Sequence, residues 1–136
     1  LAAEFAELDA RERLELLLEF ANDLPPLQAS HQAKRDAAPH RVHECQTPVY
    51  LWIDLVDQRI AVDADVPPEA PTVKGFVSVI ATAIRGSTLA EALTLPDDTV
   101  QRLGLVQVLG MQRARGLNGI LSYIRRQLAR LNAAER

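Results

Sequence analysis

Cysteine is almost missing from this chain. A single thiol stands among 136 residues, so no internal disulfide can form. A metal or cluster held by several thiolates of one chain is excluded as well. No apolar run approaches the roughly 18 uninterrupted residues that a membrane-spanning helix needs. There is no cationic start followed by an apolar stretch and a cleavage site; with the lone thiol, this points to a reducing cytoplasm. Internal repeats and low-complexity tracts are missing too. Charge of one sign is not in excess: the net charge is −3, which gives no general drive toward nucleic acid or membrane.

The composition that remains is 48% hydrophobic and 24% charged, which rules out a collagen-like or wholly disordered chain. The length suits one domain over residues 1–136, able to bury roughly two-thirds of its unfolded surface. The charge is unevenly spread. Residues 1–40 hold eight acidic and four basic side chains, whereas residues 112–136 hold six arginines and one acid, Glu135. That basic end is either a solvated helix face or a surface for a partner.

Asp9, with Glu12 three residues on, predicts a capped helix start. Leu14, Leu17, Leu18 and Ala21 form the apolar stripe of that helix, and Leu24-Pro25-Pro26 ends it. Residues 25–40 read as a polar loop with at most one helical turn. Arg41–Glu44, Val49–Val56 and Arg59–Asp63 predict a meander of about three antiparallel strands, with Asp57-Gln58 as one turn. Asp65–Pro71 breaks the pattern. A strongly apolar helix follows over Thr72–Arg85, with Val73, Val77, Ile80 and Ile84 on one face and Gly86 to stop it. Thr88 and Glu91 cap a short helix through Leu93, and Pro96 opens another that stops at Gly104. The last helix runs from about Gln112 to Asn132, with Leu117, Ile120, Leu121, Ile124, Leu128 and Leu131 facing a core. Strands first and helices after them give an α+β class, a small antiparallel sheet packed against several helices.

Cys45 lies where a short strand meets Gln46-Thr47-Pro48, a loop position at which a nucleophile can be reached. Its neighbours are polar, unlike those of most structural cysteines; a reactive thiol and an inert small residue both fit. His40, His43 and Cys45 invite a metal reading, but strand alternation separates His40 from the other two. His43 is either a proton acceptor for the thiol or a surface histidine. Lys74-Gly75 opens the apolar helix without the spacing of a phosphate loop. Arg113 and Arg115 stand at the start of the last helix, where cations are mildly unfavourable. Each is either solvated or held for a partner such as a thiolate or a carboxylate, and a nearby cation lowers a thiol pKa.

Three pieces in order carry a resemblance: Arg41-Val42-x-x-Cys45-Gln46-Thr47-x-Val49-Tyr50, then Val73-Lys74-Gly75-Phe76, then Arg113-x-x-Gly116-Leu117 followed by Ile120 and Ile124. Leu24-Pro25-Pro26-Leu27 agrees with them. Across nearly its whole length the chain resembles the SufE family of sulfur-acceptor proteins, the Fe–S metabolism-associated domain. The resemblance implies a fold like that of the IscU scaffold. It also implies a partner, a pyridoxal-phosphate cysteine desulfurase of the SufS or CsdA type, and a recipient, the Fe–S scaffold complex. No cofactor or metal of the chain's own is implied, and no nucleic-acid or membrane partner.

In that reading Cys45 accepts sulfane sulfur and Arg113 lies near the thiolate or persulfide. Glu44, Gln46, Thr47, Lys74 and one of Asp65 or Glu69 face the partner. The reaction is attack by a thiolate on a persulfide sulfur. A shielding apolar pocket is expected from Val49, Leu51 and Trp52, with a loop that moves when the partner docks. Many relatives have glycine where this chain has Glu44, a carboxylate that raises the pKa of the adjacent thiol. Two other readings compete: a non-catalytic module whose basic last helix docks nucleic acid or an acidic protein, and a cysteine hydrolase.

Overall fold

The structure, a computed structural model, describes residues 2–35, 40–42 and 47–134. Its elements in chain order are α1 (Ala2–Ala6), α2 (Ala10–Asp23), α3 (Ala29–Gln32), β1 (Tyr50–Val56), β2 (Arg59–Asp65), α4 (Pro71–Ile84), α5 (Leu89–Ala92), α6 (Thr99–Arg102), α7 (Leu105–Leu109) and α8 (Met111–Ala134). The class is α+β.

The helix boundaries follow the capping chemistry. Asp9 Oδ1 accepts from the Glu12 amide at 2.9 Å and Glu12 Oε1 accepts from the Asp9 amide at 3.1 Å. Both donors would otherwise be orphans of the first turn. Thr88 and Glu91 repeat the reciprocal pair at α5. At the other end of α2, Leu24 is already extended ahead of the two prolines. Gly86 ends α4 with φ 79°. Its amide donates to the Ile60 carbonyl while the Ile60 amide donates to Ser87, tying the end of α4 to β2.

α4 is the central element. It packs against α2, β2 and α8, and its residues Gly75 through Ala81 are all buried. The expected single face of Val73, Val77, Ile80 and Ile84 is therefore only part of what this helix buries. α2 differs as well. Leu17 and Ala21 are buried as expected, but Leu16, Phe20 and Leu24 also reach the core and Leu14 and Leu18 are half-buried. The reason is that α2 packs against both α4 and α7. α8 buries Ala114, Leu117, Ile120, Leu121, Tyr123, Ile124 and Leu128. Each large aliphatic there contributes about 1.5–3 kcal/mol relative to exposure, so packing rather than propensity holds the helix.

The sheet is smaller than the sequence predicts. β1 and β2 pair antiparallel, Leu51 opposite Ala64 and Trp52 opposite Asp63. They are joined by Asp57-Gln58, both at positive φ, as a two-residue hairpin requires. Of the expected first strand, Arg41 makes one isolated bridge to Tyr50 and residues 43–44 lie outside the described residues. Near Pro96 the structure also departs: α6 begins at Thr99, whose hydroxyl donates back to the Pro96 carbonyl, and α7 is an additional turn of helix.

The face of the sheet carrying Leu51 and Ile53 joins the main core. On the opposite face the His31 and His40 imidazoles stack on Trp52, with centroids 4.5 and 4.6 Å away. Asp63 beside it is buried and accepts from the Gln28 amide at 3.1 Å and bonds His31 Nδ1 at 2.5 Å. These contacts fasten the proline-bounded segment after α2 across the sheet.

Candidate functional site

Tyr50 and Val49 lead β1 back toward the cysteine segment. The Val42 amide donates to the Val49 carbonyl at 2.8 Å, and the Val49 amide donates to Thr47. Val42 and Val49 are fully buried. These bonds make a stem anchored in the core on either side of the cysteine segment. Cys45, with His43, Glu44 and Gln46, lies outside the described residues.

A cleft of about 890 Å³ opens at the downstream foot of this stem. Thr47 forms one wall. Glu69, Ala70, Pro71, Thr72 and Val73, which lead into α4, form another, and the third is built by Leu109, Gln112, Arg113, Arg115, Gly116 and Leu117. Pro71 stands at the first positions of α4, where no side chain caps the helix, and α8 starts at the same cleft. The positive ends of two long helix dipoles therefore converge there.

Arg113 precedes the buried Leu117 by one turn of α8, so it lies on the core-facing stripe. The helix starts over the cleft, and Arg113 lines it where the later members of the stripe reach the core. Arg113 and Arg115 are exposed, and neither has a hydrogen bond or ion pair among the described residues. The cleft also carries one carboxylate, Glu69, and apolar surface from Val73, Leu109 and Leu117.

The sequence-predicted residues divide accordingly. Thr47, Glu69 and Arg113 meet in the cleft. Asp65 does not line it: at the end of β2 it is held by Arg35 at 3.4 Å. Lys74 is half-buried one residue beyond the lining stretch of α4. The residues expected as apolar lining of a cysteine pocket lie elsewhere than this cleft. Val49 and Leu51 belong to the main core and Trp52 lies beneath His31 and His40. None of the three lines this cleft. Val73, Leu109 and Leu117 supply apolar lining instead.

Sequence reasoning passed over Gln112 and Thr72 as lining residues. Neither carries a local signal: Thr72 is a polar residue in the first turn of α4, and Gln112 falls off the apolar stripe of α8, which Arg113 continues. Among the described residues no group of three His, Cys, Asp or Glu side chains could hold a metal ion, and no helix is long and apolar enough to cross a membrane.

Gly75 explains the Val-Lys-Gly motif physically. A Cβ there would run into the carbonyl oxygen of Leu17 and stand 2.9 Å from its Cγ. Only glycine lets α2 approach α4 this closely.

Comparison with known proteins agrees with this architecture. The family model for the SufE Fe-S metabolism associated domain matches residues 1–128. An uncharacterized SufE-like protein of Mycobacterium tuberculosis H37Rv is 39% identical over 127 residues, covering 93% of this chain and 87% of that protein. One of Synechocystis is 30% identical over 112 residues, covering 82% of this chain and 67% of that one. The solution structure of a hypothetical protein from Thermus thermophilus superposes with a TM-score of 0.80 at 29% identity, over 96% of this chain and 92% of that one. With a family match across 128 residues and an α+β fold shared with a solved structure, the chain belongs to the SufE family of Fe–S metabolism-associated domains.

Proposed function

We propose that this protein is a sulfur carrier: Cys45 takes sulfane sulfur from the persulfide of a cysteine desulfurase, stimulates that enzyme by clearing it, and passes the sulfur on to Fe–S cluster assembly in the cytoplasm. The Cys45 thiolate attacks the terminal sulfur of the enzyme's persulfide. One S–S bond forms at Cys45, the enzyme's own S–S bond breaks, and the enzyme's cysteine leaves as a thiolate. Sulfane sulfur moves without change of oxidation state, so no outside oxidant or reductant is consumed.

The observation that carries this reading is the cleft beside the cysteine stem. Two peptide units reach at most about 7 Å, so Cys45 is tethered close to Thr47, which lines the cleft with Arg113. A cation there favours the ionised, nucleophilic thiol and the persulfide anion that follows it. Glu44 works in the opposite sense, which makes the arginine more necessary. The cleft gives a sulfur chain a partly apolar recess between donor and recipient. The desulfurase, not this chain, supplies the pyridoxal phosphate. Thr47 and Glu69 on the cleft rim, with Glu44 and Gln46, are the residues we assign to contact with it. His43 is assigned no step in sulfur transfer.

Mass spectrometry after mixing with a desulfurase and free cysteine tests the proposal. Cys45 should gain one sulfur atom that a thiol reductant removes. Cys45→Ser should bind the desulfurase yet give no stimulation. A variant that stimulates as well as the parent would overturn the assignment.

A further inference from the structure

The arginines of this chain fall into two populations. Outside α8, seven described arginines each have a partner. Arg11 pairs with Glu15, Arg35 with Asp65, Arg59 with Glu91 and Arg102 with Asp98. Arg13 donates to the Phe5 carbonyl, Arg85 to that of Val62, and Arg41 reaches Tyr50. Within α8, Arg113, Arg115, Arg125 and Arg130 have no hydrogen bond or ion pair among the described residues, and Arg126 lies over the Tyr123 ring. All five are exposed. The 24 residues of α8 contain no acid, so nothing on the helix neutralises Arg113, Arg115, Arg125 or Arg130.

Helical spacing organises most of these charges. At 3.6 residues per turn, Arg115, Arg126 and Arg130 fall on the side opposite the buried Leu117, Ile124 and Leu128, with Arg125 on its flank. From Arg115 to Arg130 the row runs about 22 Å along the axis, the length of one side of an ordinary protein interface. Its first member also lines the cleft, so the row runs out from the sulfur-transfer site rather than standing apart from it.

We infer that this outer face of α8 is a docking surface for a protein partner that presents an acidic patch. Charge decides between that partner and a nucleic acid. Residues 1–110 carry nine basic and seventeen acidic side chains. A polyphosphate extending beyond one helix would meet a strongly negative body, whereas a compact acidic patch need meet only the helix. Single-stranded nucleic acid is also recognised by stacking on exposed aromatic rings. Among the described residues Phe5, Trp52, Phe76 and Tyr123 are buried and Phe20 and Tyr50 half-buried. Rim charges of this kind set association rate and partner choice more than final affinity.

The inference rests on the sulfur-carrier reading only for its probe, a pyridoxal-phosphate cysteine desulfurase titrated with the full chain. Arg125→Glu/Arg130→Glu, which leaves the cleft untouched, should weaken binding about tenfold at low salt, the combined effect of turning two attractions into repulsions. The deficit should shrink toward about 0.3 M salt as screening grows. Arg125→Lys/Arg130→Lys should bind as the parent does, and so should Glu4→Lys/Glu7→Lys, which adds charge of the same sign elsewhere. Undiminished binding of the glutamate variant at low salt overturns the inference. So does absence of binding by the parent, or duplex DNA binding more tightly than the enzyme. If Cys45 gains sulfur while the glutamate variant binds normally, docking on α8 alone is refuted. If the variant loses affinity and Cys45 never gains sulfur, the carrier reading fails and the docking surface stands.

Discussion

Gly75→Ala is the substitution for which the structure gives the most definite expectation. The added methyl meets the Leu17 carbonyl oxygen and lies 2.9 Å from Leu17 Cγ, where unstrained carbon contacts stand at about 3.5–4.0 Å. The oxygen belongs to the backbone of α2 and cannot rotate away, so α2 and α4 must part by about 1 Å. Overpacking of this kind costs about 1–3 kcal/mol and occasionally more. Alanine returns about 1 kcal/mol through its better helix propensity. A clash with main chain falls at the costly end, so the balance is a net loss of about 1–3 kcal/mol, or a melting temperature lower by some 3–10 °C. Gly116→Ala is the matched control. It is also a motif glycine in a helix, but an added Cβ has nothing within 4 Å, so only the propensity gain of up to about 1 kcal/mol remains. Urea and thermal unfolding followed by circular dichroism measure both. Equal stability of Gly75→Ala and the parent would refute the close-approach argument. Because Gly75 lies two residues past Val73 on the cleft wall, the same variant should also lose part of its desulfurase stimulation.

Further expectations follow from single contacts. Replacing Asp57-Gln58 by Asn-Gly relieves two residues at φ 52° and 67° and should raise stability by about 1 kcal/mol in denaturant titrations. Asp63→Ala removes the acceptor of the Gln28 amide and should cost about 1–3 kcal/mol, together with a change in the emission of Trp52, the sole tryptophan. Hydrogen bonds from the Thr88 backbone amide and then its hydroxyl hold the Glu91 carboxyl below its usual range, with a smaller contribution from Arg59. A lowered carboxyl pKa stabilises the fold above its unfolded value. Thermal melts should therefore show a deficit of Glu91→Gln at neutral pH that disappears as pH falls through the carboxylate range and below. Arg113→Ala should move the pH dependence of Cys45 alkylation upward, with Arg113→Lys recovering part of the shift; an unchanged profile would remove Arg113 from the thiol's surroundings.

What the sequence discloses and what it hides divide along physical lines. Helix ends are written in local chemistry, so Asp9 with Glu12, Thr88 with Glu91, and Gly86 fix three of them within a residue. The stripe of α8 is legible because one helix buries one face. Trp52 is not legible. An apolar residue in an apolar strand reads as pocket lining or core, yet its cover comes from His31 and His40, polar residues of a loop. Likewise nothing in a period of two foretells that Val49 and Leu51 join the main core and that the cleft takes its apolar surface from three other helices, α4, α7 and α8. The stop just past α6, at the positive-φ Gly104, is written locally, but the start of α6 moves from Pro96 to Thr99, whose hydroxyl bonds the Pro96 carbonyl.

The motif residues separate into two duties on the same grounds. Gly75 maintains a helix contact that sets where the first turn of α4 stands, and that turn is one wall of the cleft. Arg113 instead occupies a core-facing position on α8 where no core remains to be filled, which stabilises nothing visible in the fold. A cation at a helix N-terminus, unpaired among the described residues, costs a little stability. Its presence beside the foot of the cysteine loop is accounted for if an anion forms there during the protein's work, and a persulfide on Cys45 is such an anion. Stability and chemistry therefore predict opposite signs for its removal. Arg113→Ala should leave the melting temperature unchanged or slightly higher while sulfur transfer slows, whereas a parallel loss of both would make Arg113 one more structural residue.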